Sequence, residues 1–195
     1  MAKETIITFF NKKGGTGKTS LSFNLAKDLD YFLLSNDDSV IEKVYPEKSK
    51  IMEELEVVRG ANIIYDLGGF IEKETIEVFK VSDLIIVPTT LDINSIQRTI
   101  NTVIELNEYN DNIVIVVNRI QKAKANKYKN SLEALAKLDK EILLIRESEA
   151  FINSMYKGET VIEQYKSSPL MRNAYKGIVE DYMKLLKTIQ EVKGK

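Results

Sequence analysis

The sequence predicts a doubly wound α/β fold, with a mostly parallel sheet flanked by helices. Two observations support this prediction. Short apolar runs rich in β-branched residues alternate with longer amphipathic segments, and these runs are apolar at nearly every position rather than at every second one. Strands covered on both faces have that pattern. Strands that alternate with helices favour parallel pairing through right-handed crossovers.

Six strands are predicted from these apolar runs, at Thr5–Phe10, Tyr31–Ser35, Asn62–Asp66, Leu84–Pro88, Ile113–Asn118 and Ile142–Arg146. The helical patterns between them cover Lys18–Leu29, Lys73–Val81, Ile93–Tyr109 and a lysine-rich stretch that ends near Lys137. The third of these helices carries a stripe that should face the sheet, formed by Ile93, Ile96, Ile100, Val103, Ile104 and Leu106.

A long final helix is predicted from about Pro169. Its apolar face should pack on the sheet and consists of Tyr182, Leu185, Leu186 and Ile189. A membrane-binding helix would need Trp or Phe and a more basic polar face, so no stable membrane insertion is expected.

Composition excludes several classes of protein. The chain has 195 residues, 28 basic and 29 acidic, and no cysteine or histidine. It therefore has no disulfide scaffold, no cysteine-ligated metal and no histidine general base. The length favours one domain spanning residues 1–195. A net charge of −1 means that contact with nucleic acid would need a local patch. Without a signal-peptide pattern or a long apolar run, a cytoplasmic protein is expected.

The strongest motif is a glycine-rich loop that lies directly after a predicted strand and before a predicted helix. It runs Lys13, Gly14, Gly15, Thr16, Gly17, Lys18, Thr19 and continues into Ser20. That context is typical of a phosphate-binding loop, in which backbone N–H groups and the helix N-terminus face phosphate oxygens. Lys18 would reach the β- and γ-phosphates of ATP, and the Thr19 hydroxyl would ligate Mg²⁺. The alternative is a glycine-rich turn without a ligand.

The loop departs from the general pattern, which has glycine where this chain has Lys12. With Lys13 opening the motif, the sequence resembles the deviant Walker A ATPases. That group contains partition ATPases of the ParA type, division-site regulators of the MinD type and nitrogenase iron protein. The resemblance implies that Lys13 reaches across a nucleotide-sandwich homodimer to the partner's phosphates, as an arginine finger does. Lys12 is expected to be a solvated loop lysine. The absence of cysteine excludes the nitrogenase branch.

Two more segments fit this resemblance. The third predicted strand ends at Asp66, which the family pattern implies holds Mg²⁺ through water, and the following two glycines imply a mobile loop near the γ-phosphate. The second strand leads into Asn36-Asp37-Asp38, where the family has Asp-x-Asp-Pro-Gln. The best register puts Asp38 on the second acid, which implies a role in positioning the attacking water and in the metal shell. Asp37 would serve if the register slips by one residue, and a helix cap is the alternative.

Asn118 and Arg119 end the fifth predicted strand, at the edge of the sheet where a base would lie. An asparagine amide can both donate to and accept from an adenine edge. The MinD-type members have an Asn-Arg pair at this place. A turn-forming asparagine is the alternative.

A basic stretch without acids follows and could bind DNA phosphates independently of sequence. The candidate DNA-binding residues are Lys122, Lys124, Lys127 and Lys129, with Arg172 and Lys176 early in the final helix. The alternative is a solvated helix face.

The form of the loop around Asn11 and Lys13 resembles the partition branch. It implies an ATP-dependent, nucleoid-associated dimeric switch that segregates a plasmid or chromosome region and hydrolyses ATP slowly until a centromere-binding, ParB-like adaptor stimulates it. Two alternatives stay open. One is a MinD-like positioning ATPase that acts on a membrane or protein cargo. The other is a nucleotide-binding module with impaired hydrolysis, suggested by Asn36 and the missing Pro-Gln. The short connection 38–61 predicts no operator-binding extension.

Overall fold

The computed structural model describes residues 4–121 and 128–193. Within these ranges the strands are β1 (Ile6–Phe10), β2 (Phe32–Ser35), β3 (Ser49–Ile51), β4 (Ile63–Leu67), β5 (Leu84–Thr89), β6 (Ile113–Ile120) and β7 (Glu141–Arg146). The helices are α1 (Lys18–Leu29), α2 (Ile41–Val44), α3 (Lys73–Val81), α4 (Ile93–Leu106), α5 (Lys129–Ala136), α6 (Ala150–Lys157), α7 (Val161–Lys166) and α8 (Pro169–Lys193).

The strands form one parallel sheet in the order β3-β2-β4-β1-β5-β6-β7. This arrangement confirms the predicted doubly wound α/β fold. β1 lies between β4 and β5, and its last residue, Phe10, pairs in register with Leu67. Because all strands point the same way, the segments that follow them meet at one edge of the sheet. In open α/β sheets, ligands bind at that edge.

Side chains of β1 alternate between two hydrophobic clusters. Ile7 and Phe9 join the cluster formed with α1, α6, α7 and α8. Ile6 and Phe10 join the cluster formed with α3, α4 and α5 on the opposite face. All four side chains are buried. The continuous apolar character of this strand therefore follows from its cover on both faces.

Two predicted features of the fold are wrong. The three-residue strand β3 was not predicted, so the strand that carries Asp66 is the fourth in chain order and not the third. In α4, Ile93 and Ile104 face away from the sheet, with 84% and 56% of their surface exposed. Helical spacing places them beside the inward stripe, but among the six predicted stripe residues only Ile96, Val103 and Leu106 are fully buried.

The final helix packs as predicted. Its apolar face is buried in the cluster beside α1, with Tyr182, Leu185, Leu186 and Ile189 at most 5% exposed. Arg146 of β7 and Asp181 of α8 add a two-pronged ion pair, with Nε–Oδ2 at 2.6 Å and Nη2–Oδ1 at 3.0 Å. Among the described residues, no helix has both the length and the apolar character needed to cross a membrane.

Candidate nucleotide-binding site

The glycine-rich loop connects β1 to α1 at the carboxyl edge of the sheet. Gly15 and Gly17 adopt φ angles of 75° and 94°, in the left-handed region that favours glycine. Gly17 is the N-cap of α1, which has no side-chain cap and no acidic residue in its first turn. No carboxylate from the first turn of this 12-residue helix therefore competes for its first N–H groups. That arrangement suits an anion such as phosphate.

Buried Asn11 fixes the start of the loop. Its Nδ2 donates to the carbonyl of Pro88 at 2.8 Å and to the Thr99 hydroxyl at 3.0 Å. Its Oδ1 accepts from the backbone N–H of Lys13 at 2.9 Å. One side chain thus joins β1, β5, α4 and the loop. The sequence analysis named Asn11 only as part of a branch-specific motif and did not predict that it anchors the loop. The signal that could have indicated this role is a polar residue directly after a buried strand.

The three lysines of the loop have different surroundings. Lys12 forms an ion pair with Glu105 of α4, so the prediction that it is simply solvated is wrong. The Lys13 ammonium donates to the carbonyl of Gly14 at 3.3 Å, and Lys18 lies 3.5 Å from the carbonyl of Asn11. Neither Lys13 nor Lys18 forms an ion pair with a described carboxylate. Both charges are therefore available to a phosphate group.

Asp66 lies inside the site, at the end of β4 and only 1% exposed. Neither of its carboxylate oxygens makes a hydrogen bond of ordinary geometry to a described residue. Burial raises the pKa of Asp66 from 3.8 to about 6, although the nearby Thr19 hydroxyl and Lys18 ammonium lower it. A buried carboxylate without a hydrogen bond of ordinary geometry is costly, and a bound cation would stabilise it.

The oxygen donors fit Mg²⁺. No described cluster of three or more acidic residues could hold a metal by itself. Mg²⁺ is commonly held by one or two protein oxygens together with phosphate oxygens and water. Asp66 and Thr19 would supply the protein side of such a shell. The Thr16 hydroxyl oxygen is also buried without a partner, at the same loop.

The structure separates Asp37 from Asp38, the two candidate carboxylates after β2. Asp37 lies against Gly68, since a Cβ built on that glycine would be 2.9 Å from Asp37 Oδ2. Asp37 is also near enough to raise the pKa of Asp66. Both Asp37 and Asp38 are exposed. The contact with Gly68 favours Asp37, the candidate of the slipped register, and the choice between the two stays a prediction.

Asn118 is buried two residues before the end of β6 and contacts the loop directly. Its Nδ2 donates to the carbonyl of Thr16 at 3.1 Å, and its Oδ1 accepts from the backbone N–H of Arg119 at 2.9 Å. The amide therefore supports the phosphate loop in this conformation, an arrangement that the sequence did not predict. Recognition of a base by Asn118 and Arg119 stays a prediction.

A cavity of about 1020 Å³ adjoins these residues, between α1, the α2 segment and α6. Its walls include Ser20, Asn118, Arg119, Glu147, Phe151 and Tyr156. Ser20 belongs to the first turn of α1, so the cavity continues directly from the phosphate loop. Its volume is sufficient for a nucleoside next to the predicted phosphate position.

The predicted DNA-binding residues are placed only in part. Lys122, Lys124 and Lys127 lie outside the described residues. Lys129 begins α5 and is exposed, and its Nζ lies 3.9 Å from Oε1 of Glu133. Arg172 and Lys176 are exposed one turn apart on α8, where side chains four residues apart lie on one face.

The fold and this site define a phosphate-loop nucleotide-binding protein of the α/β class. Residues 7–161 match the CobQ/CobB/MinD/ParA nucleotide-binding domain family. The chain belongs to this family, and the resemblance seen in the sequence is confirmed. No curated protein sequence matches the chain at a significant level.

Solved structures from both branches share the fold. The MinD cell division protein of Aquifex aeolicus is 18% identical, with a TM-score of 0.65, covering 94% of this chain and 97% of its own. A putative plasmid partition protein of Borrelia burgdorferi bound to AMPPNP is 17% identical, with a TM-score of 0.61 and coverage of 93% and 99%. MinD of Pyrococcus horikoshii complexed with Mg-ADP is 14% identical, with a TM-score of 0.57 and coverage of 96% and 99%.

Proposed function

We propose that the protein is an Mg²⁺-dependent ATPase whose ATP-bound form is a homodimer that positions a cargo. The observation that carries this proposal is the buried, unpartnered carboxylate of Asp66 beside the phosphate loop. Family membership and neighbours solved with AMPPNP and with Mg-ADP support a nucleotide as the ligand.

Each group near the loop has a defined task in this proposal. The loop N–H groups and Lys18 hold the phosphates, while Thr19 and Asp66 hold the cation that neutralises their charge. Asp37, which lies against Gly68, would orient a water molecule toward the γ-phosphate in preference to Asp38. Lys13, which pairs with no described carboxylate, would stabilise the transferring phosphoryl group of the partner subunit. The cavity beside Asn118 would take the nucleoside.

Nucleotide binding and phosphate release test this proposal together. We expect calorimetry to show Mg²⁺-dependent binding of ATP and ADP, and a phosphate-release assay to show slow turnover. Lys18→Ala should lose most of the binding. Lys80→Ala, which removes an exposed lysine of α3 from a surface ion pair, is the matched control and should bind as the parent does. Binding that is equally strong without Mg²⁺, or in Lys18→Ala, would contradict the assignment of the site.

DNA segregation is the finer proposal for the cargo. It is supported by the partition-type loop and by the exposed positions of Lys129, Arg172 and Lys176. Each phosphate contact made by a lysine or arginine gives a salt slope of about 0.9 in log affinity per decade. An ATP dimer would present two copies of each surface, and this would make DNA binding depend on ATP.

A salt series measured by fluorescence anisotropy distinguishes the cargoes. We expect Arg172→Ala/Lys176→Ala, and Lys129→Ala combined with alanine at Lys122, Lys124 and Lys127, to weaken ATP-dependent DNA binding and to flatten its slope. Lys184→Ala/Lys187→Ala removes two exposed lysines further along α8 and is the control. If the parent shows no ATP-dependent DNA binding at low salt, DNA is not the cargo. In that case, ATP-dependent sedimentation with liposomes would indicate a membrane cargo instead.

A further inference from the structure

One side chain ties the ends of β2 and β4 together. Asn36 Oδ1 accepts from the backbone N–H of Gly68 at 2.9 Å, and Asn36 Nδ2 donates to the Gly68 carbonyl at 3.3 Å. The sheet register explains why they meet, because Ser35 and Asp66 are paired neighbours and the chain continues from both at the same edge. We refer to these two hydrogen bonds between Asn36 and Gly68 as the Asn36 clamp.

Gly68, which the Asn36 clamp holds, follows β4 and so lies between the end of β1, where the phosphate loop begins, and the end of β2, which leads into Asp37. Leu67, directly before Gly68, pairs with Phe10, the last strand residue before the loop. On the other side, Asp37 packs so closely against Gly68 that a Cβ there would lie 2.9 Å from its Oδ2. Any displacement of Gly68 would therefore move the surface against which Asp37 rests.

The turn that the clamp holds has little stiffness of its own. Gly69 follows with φ of 89°, and neither glycine has a side chain to restrict the backbone. The adjoining cleft, of about 260 Å³, is lined by both glycines, Asn36, Asp37 and the 76%-exposed Phe70. The two hydrogen bonds of Asn36 thus supply the restraint that local packing does not.

Only an amide side chain of this length can make both bonds at once. Asparagine presents a donor and an acceptor on one group, as Gly68 does with its N–H and C=O. An aspartate could accept from the N–H, but its second oxygen would face the carbonyl oxygen. An alanine would make neither bond.

We propose that Asn36 is a positioning residue for ATP hydrolysis, holding the Gly68–Gly69 turn and, through it, the Asp37 carboxylate at the γ-phosphate. This inference rests on the proposed ATPase function. Because the phosphate loop is anchored separately by Asn11 and Asn118, loss of the clamp leaves nucleotide binding in place. Its loss lowers the rate of the chemical step instead.

Steady-state kinetics of Asn36→Ala and Asn36→Asp test this assignment. We expect kcat to fall roughly tenfold in Asn36→Ala, the size that the loss of two hydrogen bonds gives. KM and the calorimetric Kd for ATP should stay within about twofold of the parent values. The kcat of Asn36→Asp should fall at least as far. The aspartate keeps the hydrogen bond from the Gly68 N–H, but its second oxygen would repel the Gly68 carbonyl oxygen. Asn112→Ala is the matched control, because this exposed asparagine also donates to a backbone carbonyl, that of Asp83, at the opposite edge of the sheet.

Hydrogen exchange gives a second readout that does not depend on turnover. In the nucleotide-free protein, the Gly68 amide should exchange faster in Asn36→Ala than in the parent, while amides of α1 keep the parental rate. Parental kcat in either Asn36 variant, or a fall in ATP affinity equal to the fall in kcat, would overturn the positioning role. A parent that binds ATP without hydrolysing it would instead refute the proposed function, and the exchange measurement would still decide whether the clamp exists.

Discussion

Replacing the glycines of the phosphate loop one at a time is expected to destabilise the protein by unequal amounts. Gly14 has open space where the Cβ of an alanine would lie and no left-handed φ, so Gly14→Ala should change the free energy of unfolding by no more than about 0.5 kcal/mol. Gly15 also has open space but a φ of 75°. Holding alanine there costs about 1–2 kcal/mol.

Gly17→Ala should cost more than Gly15→Ala because two effects add. The φ of 94° imposes a similar backbone strain. In addition, the new methyl group would collide with Nδ2 of Asn118, which is 5% exposed and donates to Thr16. Displacing this buried donor costs about 1–3 kcal/mol. The total expected loss is roughly 2–5 kcal/mol.

Urea denaturation without nucleotide measures the free energy of unfolding of each variant, so the effect on stability is separated from any effect on phosphate binding. The double variant Gly17→Ala/Asn118→Ala should recover part of the additional loss, because the colliding amide is gone. If Gly15→Ala and Gly17→Ala are equally destabilised, the added methyl group at position 17 does not displace Asn118 and the reasoning is refuted.

Three further outcomes are expected. Lys13→Ala should keep nucleotide binding but lose ATP-dependent dimerisation in light scattering, and an ATP dimer that persists would refute the role in trans. Asp37→Ala should slow phosphate release by on the order of 100-fold and Asp38→Ala far less, since only Asp37 rests on the glycine turn; the opposite order would restore the first register. Burial raises the pKa of Asp28, which accepts from Thr160 at 2.7 Å, so stability is lost as pH rises through that pKa. The free energy of unfolding of Asp28→Asn, measured in urea relative to that of the parent, should therefore be more favourable at pH 7.5 than at pH 4.5. The same difference between variant and parent at both pH values would contradict this sign.

The local chemistry of the sequence determined the phosphate loop and much of the secondary structure. Helices α1 and α3 have the predicted bounds, because their apolar spacing and flanking residues are properties of a single segment. The family assignment followed from Lys13 to Thr19 in the same way. Strand β3 escaped prediction because Ser49, Lys50 and Ile51 form no apolar run and become a strand only by pairing with β2.

Only the tertiary structure decided which side chains surround the loop. Asn11 and Asn118 support it, Lys12 pairs with Glu105, and Asp37 approaches Gly68 through contacts between segments far apart in the chain. Residue type and spacing leave such contacts undetermined, because they depend on which strands are neighbours and on their register. In this protein, the insertion of β4 between β2 and β1 brings Asn36, Asp37 and Asp66 to one edge and puts Asp37 against Gly68.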